Sequence, residues 1–477
     1  MSKKTIFNDS VWGPVELPEV CCMIINTPEF QRLRSIKQLG GCYFVYPGAC
    51  HNRFEHSIGT SYLAGKLGSE LRENQPDLGI DNKDILCLEV AGLCHDLGHG
   101  AFSHLFDLKF IRKARPTVQW EHEDASLDMV ERIFRKINLS LVPEDERLGP
   151  KDVRFIKDLI KRPKDGYTER LDKRFLYEIV SNDVNKIDVD KWDYFARDCH
   201  MLGLHHNFQV ERSIKLARVV EHGEKIHISF PKSEYLNIFD MFFTRYTLHR
   251  KAYQHPVTRA IEAMIADALW NADEYLLFPP NQTRQNGGLT LSESTDDMDA
   301  YIWVTDDVFH HIRTLSGDNA KIKKAQKILD RIFTRDLYKL IGEKKVEFVE
   351  KRMAGDEKDV KQWMEERLRR DLNQDERDMF EIQKLVLNYG DKDRNPMDAV
   401  KFYGRNKEPY IYKKEEMSLM MPSTFQQIYV QLFWKGSRDE NTELKKRIRS
   451  TFWEIQKYPE EGEVVAEFVN TIEACKD

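Results

Sequence analysis

No stretch of about 18 consecutive apolar residues occurs in the chain, which argues against a membrane-spanning helix. The N-terminus, MSKKTIFND, lacks the apolar h-region of a secretory signal, so the cytoplasm or nucleus is the expected compartment. Cysteine is sparse: eight residues, at 21, 22, 42, 50, 87, 94, 199 and 475, with no C-x-x-C pair. Neither a disulfide framework nor a thiolate zinc site is indicated, and buried free thiols are the plain reading. Charge of one sign is not in large excess either. A net charge of −6 with pI near 6.2 argues against a wholesale nucleic-acid-coating surface while leaving local basic clusters open. Internal repeats and low-complexity tracts are missing.

What the chain does have is helix. Its 477 residues suffice for two or three domains. Apolar residues recur at three- and four-residue intervals through FEHSIGTSYLAGKLGSELREN, KDILCLEVAGLCHDLG, EDASLDMVERIFRKI, KDVRFIKDLI, FLYEIVS and one long run beginning YLNIFDMFF, each predicted as helix. Only KIHISF at 225–230 alternates with period two, as part of a minor strand pair. Upstream, Thr27-Pro28 reads as an N-cap with proline at N1, opening a helix that stops at Gly40-Gly41. CYFVYPGA then reads as a short strand or extended loop. Pro-Pro, Asn-Gly and Gly-Gly pairs mark 277–297 as a loop or hairpin, and helices resume to about 342, ending in DLYKLIGE. Beyond it FEIQKLVLNYG, AVKFYG, EPYIYKKEE and QQIYVQLFWKG look like strands among charged helices, giving a smaller α+β lobe.

Six of the fifteen histidines fall between His51 and His122, centred on LCHDLGHG at 93–100. Adjacent residues on a regular helix point about 100° apart, so His95 and Asp96 can share one ion only near a helix end, which Gly98 and Gly100 supply. His56 lies upstream, and Asp188, Asp190, Asp193 and Asp198 follow in IDVDKWDYFARD. A mixed His/Asp set suits iron, zinc or manganese and leaves positions for water and a phosphate oxygen. A His-Asp dipeptide alone arises by chance; the combination carries the inference.

The histidines exceed any ligand count, since His99, His104 and His122 remain, with the ordinary structural histidine as the plain alternative. Phosphate-ester cleavage needs an activated water, cations for the phosphoryl oxygens and an acid for the leaving oxygen; imidazole serves the last two. Asp107, three residues past His104, is spaced to orient that ring by one helical turn. Arg53, Lys191, Tyr194 and the face formed by Arg245, His249 and Tyr253, with Gln254 beside it, add cations and rings for a phosphate-and-sugar site.

HNRFEHS, AGLCHDLGHGAFSH, FLYEIVSNDVNKIDVDKWDYFARDCHMLG and HRKAYQH closely resemble the SAM-and-HD-domain deoxynucleoside triphosphate triphosphohydrolases of vertebrates, within the HD phosphohydrolase superfamily. The resemblance is strong from about 4 to 275, recognisable to about 342 and patchier beyond. It implies a mainly α fold: an N-terminal regulatory-nucleotide segment (1–45), an HD-domain helical phosphohydrolase core with a minor β-hairpin (46–342) and a C-terminal α+β lobe (343–477). It also implies hydrolysis of a dNTP to deoxynucleoside and inorganic triphosphate. One transition metal (Fe, Zn or Mn) is then held by His56, His95, Asp96 and Asp190. Arg53, His99, His104 and His122 become the phosphate and catalytic group, with His104 the acid for the departing 5′ oxygen and Asp107 its orienter. Lys191, Tyr194, Arg245, His249, Tyr253 and Gln254 match triphosphate and base contacts; Gln38, Leu39 and Asp198 match the sugar contacts, where a tight wall excludes a 2′-hydroxyl.

Control is implied as well. In the family a guanine nucleotide such as GTP and a dNTP, bridged by Mg²⁺ between subunits, assemble dimers into an active homotetramer. Gln31 and Arg34 match the guanine site, Asn8, Val45 and Arg212 the neighbouring one, and Ile6, Tyr46 and Asn237 belong to the same regulatory set. Arg335 and Lys339 match a basic helix reaching across the interface. Departures concentrate here. Asn26 stands where the family has an aspartate facing guanine; a carboxylate accepts from both N1–H and the 2-amino group, whereas an amide presents one acceptor and one donor, so relaxed guanine selection is expected. Thr5 and Pro256 replace family lysines, and PKSEY at 231–235 lacks its basic pair, so activation is expected to be weaker or altered. The family's SAM domain, basic nuclear signal and threonine-proline regulatory site are not found. A dNTP-pool or antiviral role is what the resemblance suggests.

Two other readings stay open at this level. An HD phosphodiesterase or nuclease releases nucleotides rather than triphosphate. A non-catalytic nucleotide sensor or single-stranded nucleic-acid binder, using LKKRIRS and KIKKAQK, is opposed by the acidic net charge and the complete ligand set, and requires salt-sensitive, metal-independent binding.

Overall fold

Helix forms where the three- and four-residue periodicity is strongest and a capping residue precedes it. The computed structural model describes residues 5–280, 287–348, 357–412, 416, 421–437, 440–460 and 463–472. Arg53–Asn74 and Asn82–Cys94 begin with reciprocal caps, Asn52 with Glu55 and Asp81 with Asp84, and pack against each other. Val189–Leu202 lies on the first of these helices and Pro150–Ile160 on the second. Around them run His122–Lys136, Tyr235–Leu248, Pro256–Ala272 and Ala320–Phe333. One apolar core threads this body, with Phe30, Leu63, Leu88, Phe106, Trp192, Phe242 and Tyr301 all buried. Among the described residues no helix is long and apolar enough to cross a membrane.

Strands are confined to the margins of the helical body. Thr5–Asp9 pairs antiparallel with Gly13–Leu17 at the N-terminus, and Arg218–His222 pairs with Lys225–Pro231. Phe402–Tyr403 joins Lys225–Pro231 in parallel, so the C-terminal region reaches back onto the helical body. The lobe itself is a five-stranded antiparallel sheet in the order Lys457–Glu460, Glu463–Ile472, Lys339–Phe348, Gln426–Trp434, Phe380–Asn388. The helices Glu357–Arg369 and Thr442–Glu454 accompany it, and Met364, Ile382, Val430, Trp434 and Phe452 form its own core.

Several local expectations are corrected. The helix opened by Thr27 spans only Pro28–Gln31, tightens to a 3₁₀ turn over Arg32–Ser35 and ends at Ile36 (φ −125°, ψ 109°), well before Gly40. Arg32 turns inward to donate to the carbonyls of Leu97, His99 and Val304, and the Asp306 carboxylate accepts from Lys37 N–H; tertiary partners thus replace the intrahelical bonds. CYFVYPGA is not extended, because Gly40–Phe44 is a 3₁₀ helix followed by turns. Gly40 permits this with φ +48° and no side chain, since a Cβ there would meet the Phe102 carbonyl oxygen at 2.6 Å. FLYEIVS contributes to a 3₁₀ segment, Leu171–Glu178. The long run from Tyr235 is broken: a π turn over His249–Tyr253 and an extended His255 (ψ 135°) precede Pro256, as a residue before proline prefers. KLIGE is strand rather than helix, held between partner strands far away in sequence, and the expected change of character at 343 falls inside it.

Candidate functional site

Two helix starts and one helix end converge. His56 lies one turn into Arg53–Asn74, His95 is the C-cap of Asn82–Cys94, and Asp190 is in the first turn of Val189–Leu202, where the Asp188 side chain accepts from Lys191 N–H. Gly59 allows the close approach, because a Cβ there would stand 1.9 Å from Asp193 Oδ1. The Nε2 atoms of His56 and His95 are 3.2 Å apart, and lie 3.2 and 3.3 Å from Asp190 Oδ1. Each is also 3.4 Å from an Asp96 oxygen. The Nδ1 atoms are engaged elsewhere, His56 with Asp193 Oδ2 at 2.7 Å and His95 with the Gly92 carbonyl at 2.8 Å. With the ring N–H on Nδ1, two Nε2 lone pairs face each other, an arrangement that calls for a cation between them.

Local electrostatics point the same way. Burial pushes the His56 imidazole down, yet hydrogen bonds to Asp190 and Asp193 pull it up to about 10. Burial raises the Asp190 carboxyl, while His56 and His95 hold it below the usual range. Positive charge is therefore favoured at this point, and His56, His95 and Asp190 fit a transition metal, their ligand atoms all lying within 4.8 Å of one another. Asp96 borders this group and is shared with Arg53, whose Nη1–H donates to Oδ2; burial raises that carboxyl, but Arg53, His95 and His99 together hold it well below its ordinary range.

Sequence reasoning leaves Asp193 as one acid among four. In the fold it is the support of His56, itself held by Arg197 Nε and Nη2 at 2.9 Å and by Trp12 Nε1 at 2.6 Å, with Arg197 also paired to Asp9 at 2.9 Å. Only the i,i+4 spacing of Asp193 and Arg197 was available as a signal; Trp12 and Asp9 arrive through tertiary packing. Outer partners of a ligating histidine fix its tautomer, so Asp193→Asn is expected to weaken metal affinity about 10- to 100-fold, read by chelator competition. Unchanged affinity contradicts the assigned support.

His99, His104 and His122 form a second group. The rings of His99 and His122 stack at 3.8 Å with 19° between planes, and His104 meets them edge-on at 4.9 and 5.1 Å. Their nitrogens also lie within 4.8 Å of one another, but stacked rings direct in-plane lone pairs side by side and not to one point, so this group is poorly suited to an ion. The expectation that Asp107 serves His104 is modified: Asp107 Oδ2 is 2.8 Å from His122 Nδ1 and 3.6 Å from His104 Nδ1. The chain at Asp107 is a π turn, Phe106–Ile111, which changes the reach of a three-residue spacing. Burial, reinforced by Arg53 and His122, holds His99 well below the usual histidine range and so neutral. Burial also lowers His122, but the hydrogen bond to Asp107 raises it above its ordinary value. His104 has 59% of its side chain exposed and forms the lip of the site.

The remaining residues expected at the substrate have partners of their own. Asp198 is buried between His51 Nε2, at 2.7 Å, and the Tyr253 hydroxyl; His51 was given no role by motif reasoning. Arg245 reaches the Tyr194 hydroxyl at 3.4 Å, and the His249 ring lies edge-on to Tyr253 at 5.0 Å. Burial, then Arg245, keeps His249 well below the usual histidine range. Lys191 is paired with Asp188 at 2.7 Å, and Gln254 Oε1 accepts from Arg259. Gln38 is buried, with no partner for Oε1 among the described residues, and is followed by half-buried Leu39.

The positions expected to bind regulatory nucleotides separate into groups. Asn26 caps Glu19–Ile25; Gln31 Nε2 donates to the Ile25 carbonyl at 2.7 Å, and Arg34 both donates to Gln31 Oε1 at 2.9 Å and covers the Phe54 ring. Arg212 and Asn237 converge on Glu234, at 2.8 and 3.2 Å. Thr5, Ile6 and Asn8 lie on the N-terminal hairpin, Ile6 exposed, and Pro256 is the first residue of its helix. Val45 caps the Gly40–Phe44 turn, and the Tyr46 hydroxyl donates to the Lys251 carbonyl at 2.8 Å. Arg335 and Lys339 are not on a helix: Arg335, at φ 61°, follows the end of Ala320–Phe333 and donates to the Phe44 carbonyl at 3.0 Å, while Lys339 opens a strand.

The HD domain family matches residues 53–198, the segment that carries His56, His95, Asp96 and Asp190. The chain is 42% identical to the deoxynucleoside triphosphate triphosphohydrolase SAMHD1 of Gallus gallus over 97% of its own length and 77% of the relative's. For the Homo sapiens protein of the same name identity is 40% over 97% and 76% of the two chains. A Dictyostelium discoideum SAMHD1 homolog is 34% identical over 90% and 77%. Similarity of this extent, coinciding with a His/Asp cluster in the HD segment, means that the chain belongs to the SAMHD1 family of HD-domain deoxynucleoside triphosphate triphosphohydrolases.

Proposed function

We propose that the protein hydrolyses dNTPs to the deoxynucleoside and inorganic triphosphate, the activity its relatives' names state. The observation that carries this reading is the contact between two groups: the metal-type cluster His56, His95 and Asp190, and the histidines His99, His104 and His122, joined through Asp96 and its Arg53 partner. His56, His95, Asp96 and Asp190 would hold a divalent transition ion, which would supply Lewis-acid charge at the phosphate and an activated water when bound. Water adds to the α-phosphorus and loses a proton to solvent, the bond to the 5′ oxygen breaks, His104 gives that oxygen its proton, and His104 is reprotonated from solvent. Arg53 offsets phosphoryl charge together with His122, whose bond to Asp107 favours its protonated form, and neutral His99 is available as a hydrogen-bonding partner. Lys191, Tyr194, Arg245, His249, Tyr253 and Gln254 take the triphosphate and base; Gln38, Leu39 and Asp198 take the sugar.

Phosphorus NMR of the products from dGTP with Mg²⁺ tests the reading. Inorganic triphosphate as the sole new phosphorus species is expected, and a nucleoside monophosphate or diphosphate contradicts it. GTP and dNTPs act as Mg²⁺-bridged activators that drive dimer-to-tetramer assembly through Asn26, Gln31, Arg34 and the Arg212–Asn237 and Arg335–Lys339 positions. The amide of Asn26 relaxes guanine selection there. Sedimentation with GTP, ATP or dNTPs alone is expected to show tetramers with more than the guanine nucleotide, and Asn26→Asp to narrow the set. Tetramers formed only with GTP present contradict this. The compartment proposed is the cytoplasm or nucleus.

A further inference from the structure

The wall beside the catalytic histidines is made of two irregular segments, the first tied to the residues before the Arg53–Asn74 helix by one isolated bridge, in which Gln38 N–H donates to the His51 carbonyl at 3.1 Å and Arg53 N–H to the Ile36 carbonyl at 3.0 Å. That first segment leaves helical geometry at Ile36 and carries Gln38, buried with its Oε1 unpartnered among the described residues, and Leu39. The other leads into His104 through Phe102 (φ 61°) and Ser103 (φ 58°), consecutive side-chain-bearing residues in the left-handed region. Such backbone persists only where its surroundings over-determine it. What determines it is a turn lying outside the HD segment. Asp306 Oδ1 accepts from Phe102 N–H at 2.5 Å, Oδ2 accepts from Lys37 N–H at 2.9 Å, and Asp306 N–H donates to the Ser35 carbonyl at 3.0 Å. Ser103 Oγ–H completes the link, donating to the Lys37 carbonyl at 2.6 Å while accepting from Arg53 Nε at 2.9 Å.

We infer that Asp306 is the positioning residue for this wall: one carboxylate sets the spacing between the Gln38-Leu39 segment and the loop that presents His104. This rests on the function proposed above, in which that segment contacts the sugar. Two amide donors converge on one side chain, so two acceptor atoms are required; the amide of an asparagine offers one, and its NH₂ opposes the other N–H. Asp306 itself touches none of the proposed ligands, and the brace reaches Asp96 only through Ser103 and Arg53, so its loss alters sugar discrimination before it alters metal content.

The test is steady-state hydrolysis of dGTP and of GTP by wild type, Asp306→Asn and Asp306→Ala, with metal content measured on each and Asp307→Asn, its exposed neighbour, as control. A displaced wall is expected to raise KM for dGTP and narrow the dGTP-to-GTP ratio of kcat/KM by about tenfold or more, at unchanged metal content. A wild-type ratio in both variants, including one accompanied by a lowered Tm, overturns the inference and leaves Asp306 merely structural. Should Asp306→Ala not fold, Asp306→Asn and Ser103→Ala carry the comparison. Wild-type protein inert toward dNTPs counts against the proposed function alone. The brace is then read by hydrogen exchange at Lys37 and Phe102, expected to be faster in Asp306→Asn, and equal exchange overturns it.

Discussion

His95→Ala is expected to abolish triphosphate release, with turnover falling by about 10³-fold or more as the metal is lost. His95 is the sharpest choice among the ligands. Its Nδ1 contact is a single backbone carbonyl, so removing the ring takes away the Nε2 that faces His56 while leaving the Asp193–Arg197–Trp12 support intact. His56→Ala strips a partner from buried Asp193 and confuses loss of metal with loss of packing. Metal analysis and circular dichroism accompany the assay. Turnover that persists in a folded, metal-free His95→Ala protein contradicts the assignment of this cluster as the reaction's metal centre.

His104→Ala is expected to behave differently: kcat falls about 10²- to 10⁴-fold, the usual contribution of a general acid, while metal content stays at the wild-type level. The exposure of His104 at the lip makes a folding defect improbable on physical grounds, since little packing is lost. Asp107→Asn is expected to cost less than His104→Ala, because Asp107 lies 2.8 Å from His122 and only 3.6 Å from His104. An Asp107 variant as damaged as His104→Ala contradicts the division of labour drawn here, and an unaffected His104→Ala removes His104 from the role of acid.

Much of this centre was legible before any coordinates, because metal ligands and helix caps leave local traces. His95-Asp96 at the close of an apolar helix, His56 in the helical run upstream and Asp190 in an aspartate-rich run are all statements about neighbours in sequence. Long-range partners leave no such trace. Nothing in the spacing reveals that Trp12 and Asp9 reach the Asp193–Arg197 pair, that His51 holds Asp198, or that Asp306 ties Lys37 to Phe102. The same reason explains the misread segments. Residues 28–40 have the apolar rhythm of a helix, but Arg32 and Lys37 find better partners in the loops after His95 and after Tyr301. KLIGE has helical neighbours in sequence and strand neighbours in space, and the sheet prevails. His255-Pro256, by contrast, was a visible break that periodicity alone overrode.

Hydrolysis of dGTP in ¹⁸O-labelled water, followed by phosphorus NMR and mass analysis of the products, is the most direct measurement. Attack at the α-phosphorus is expected to place one ¹⁸O on a terminal phosphate of inorganic triphosphate and none on deoxyguanosine. Label in the 5′-hydroxyl, or release of a labelled nucleotide with pyrophosphate or phosphate, contradicts it.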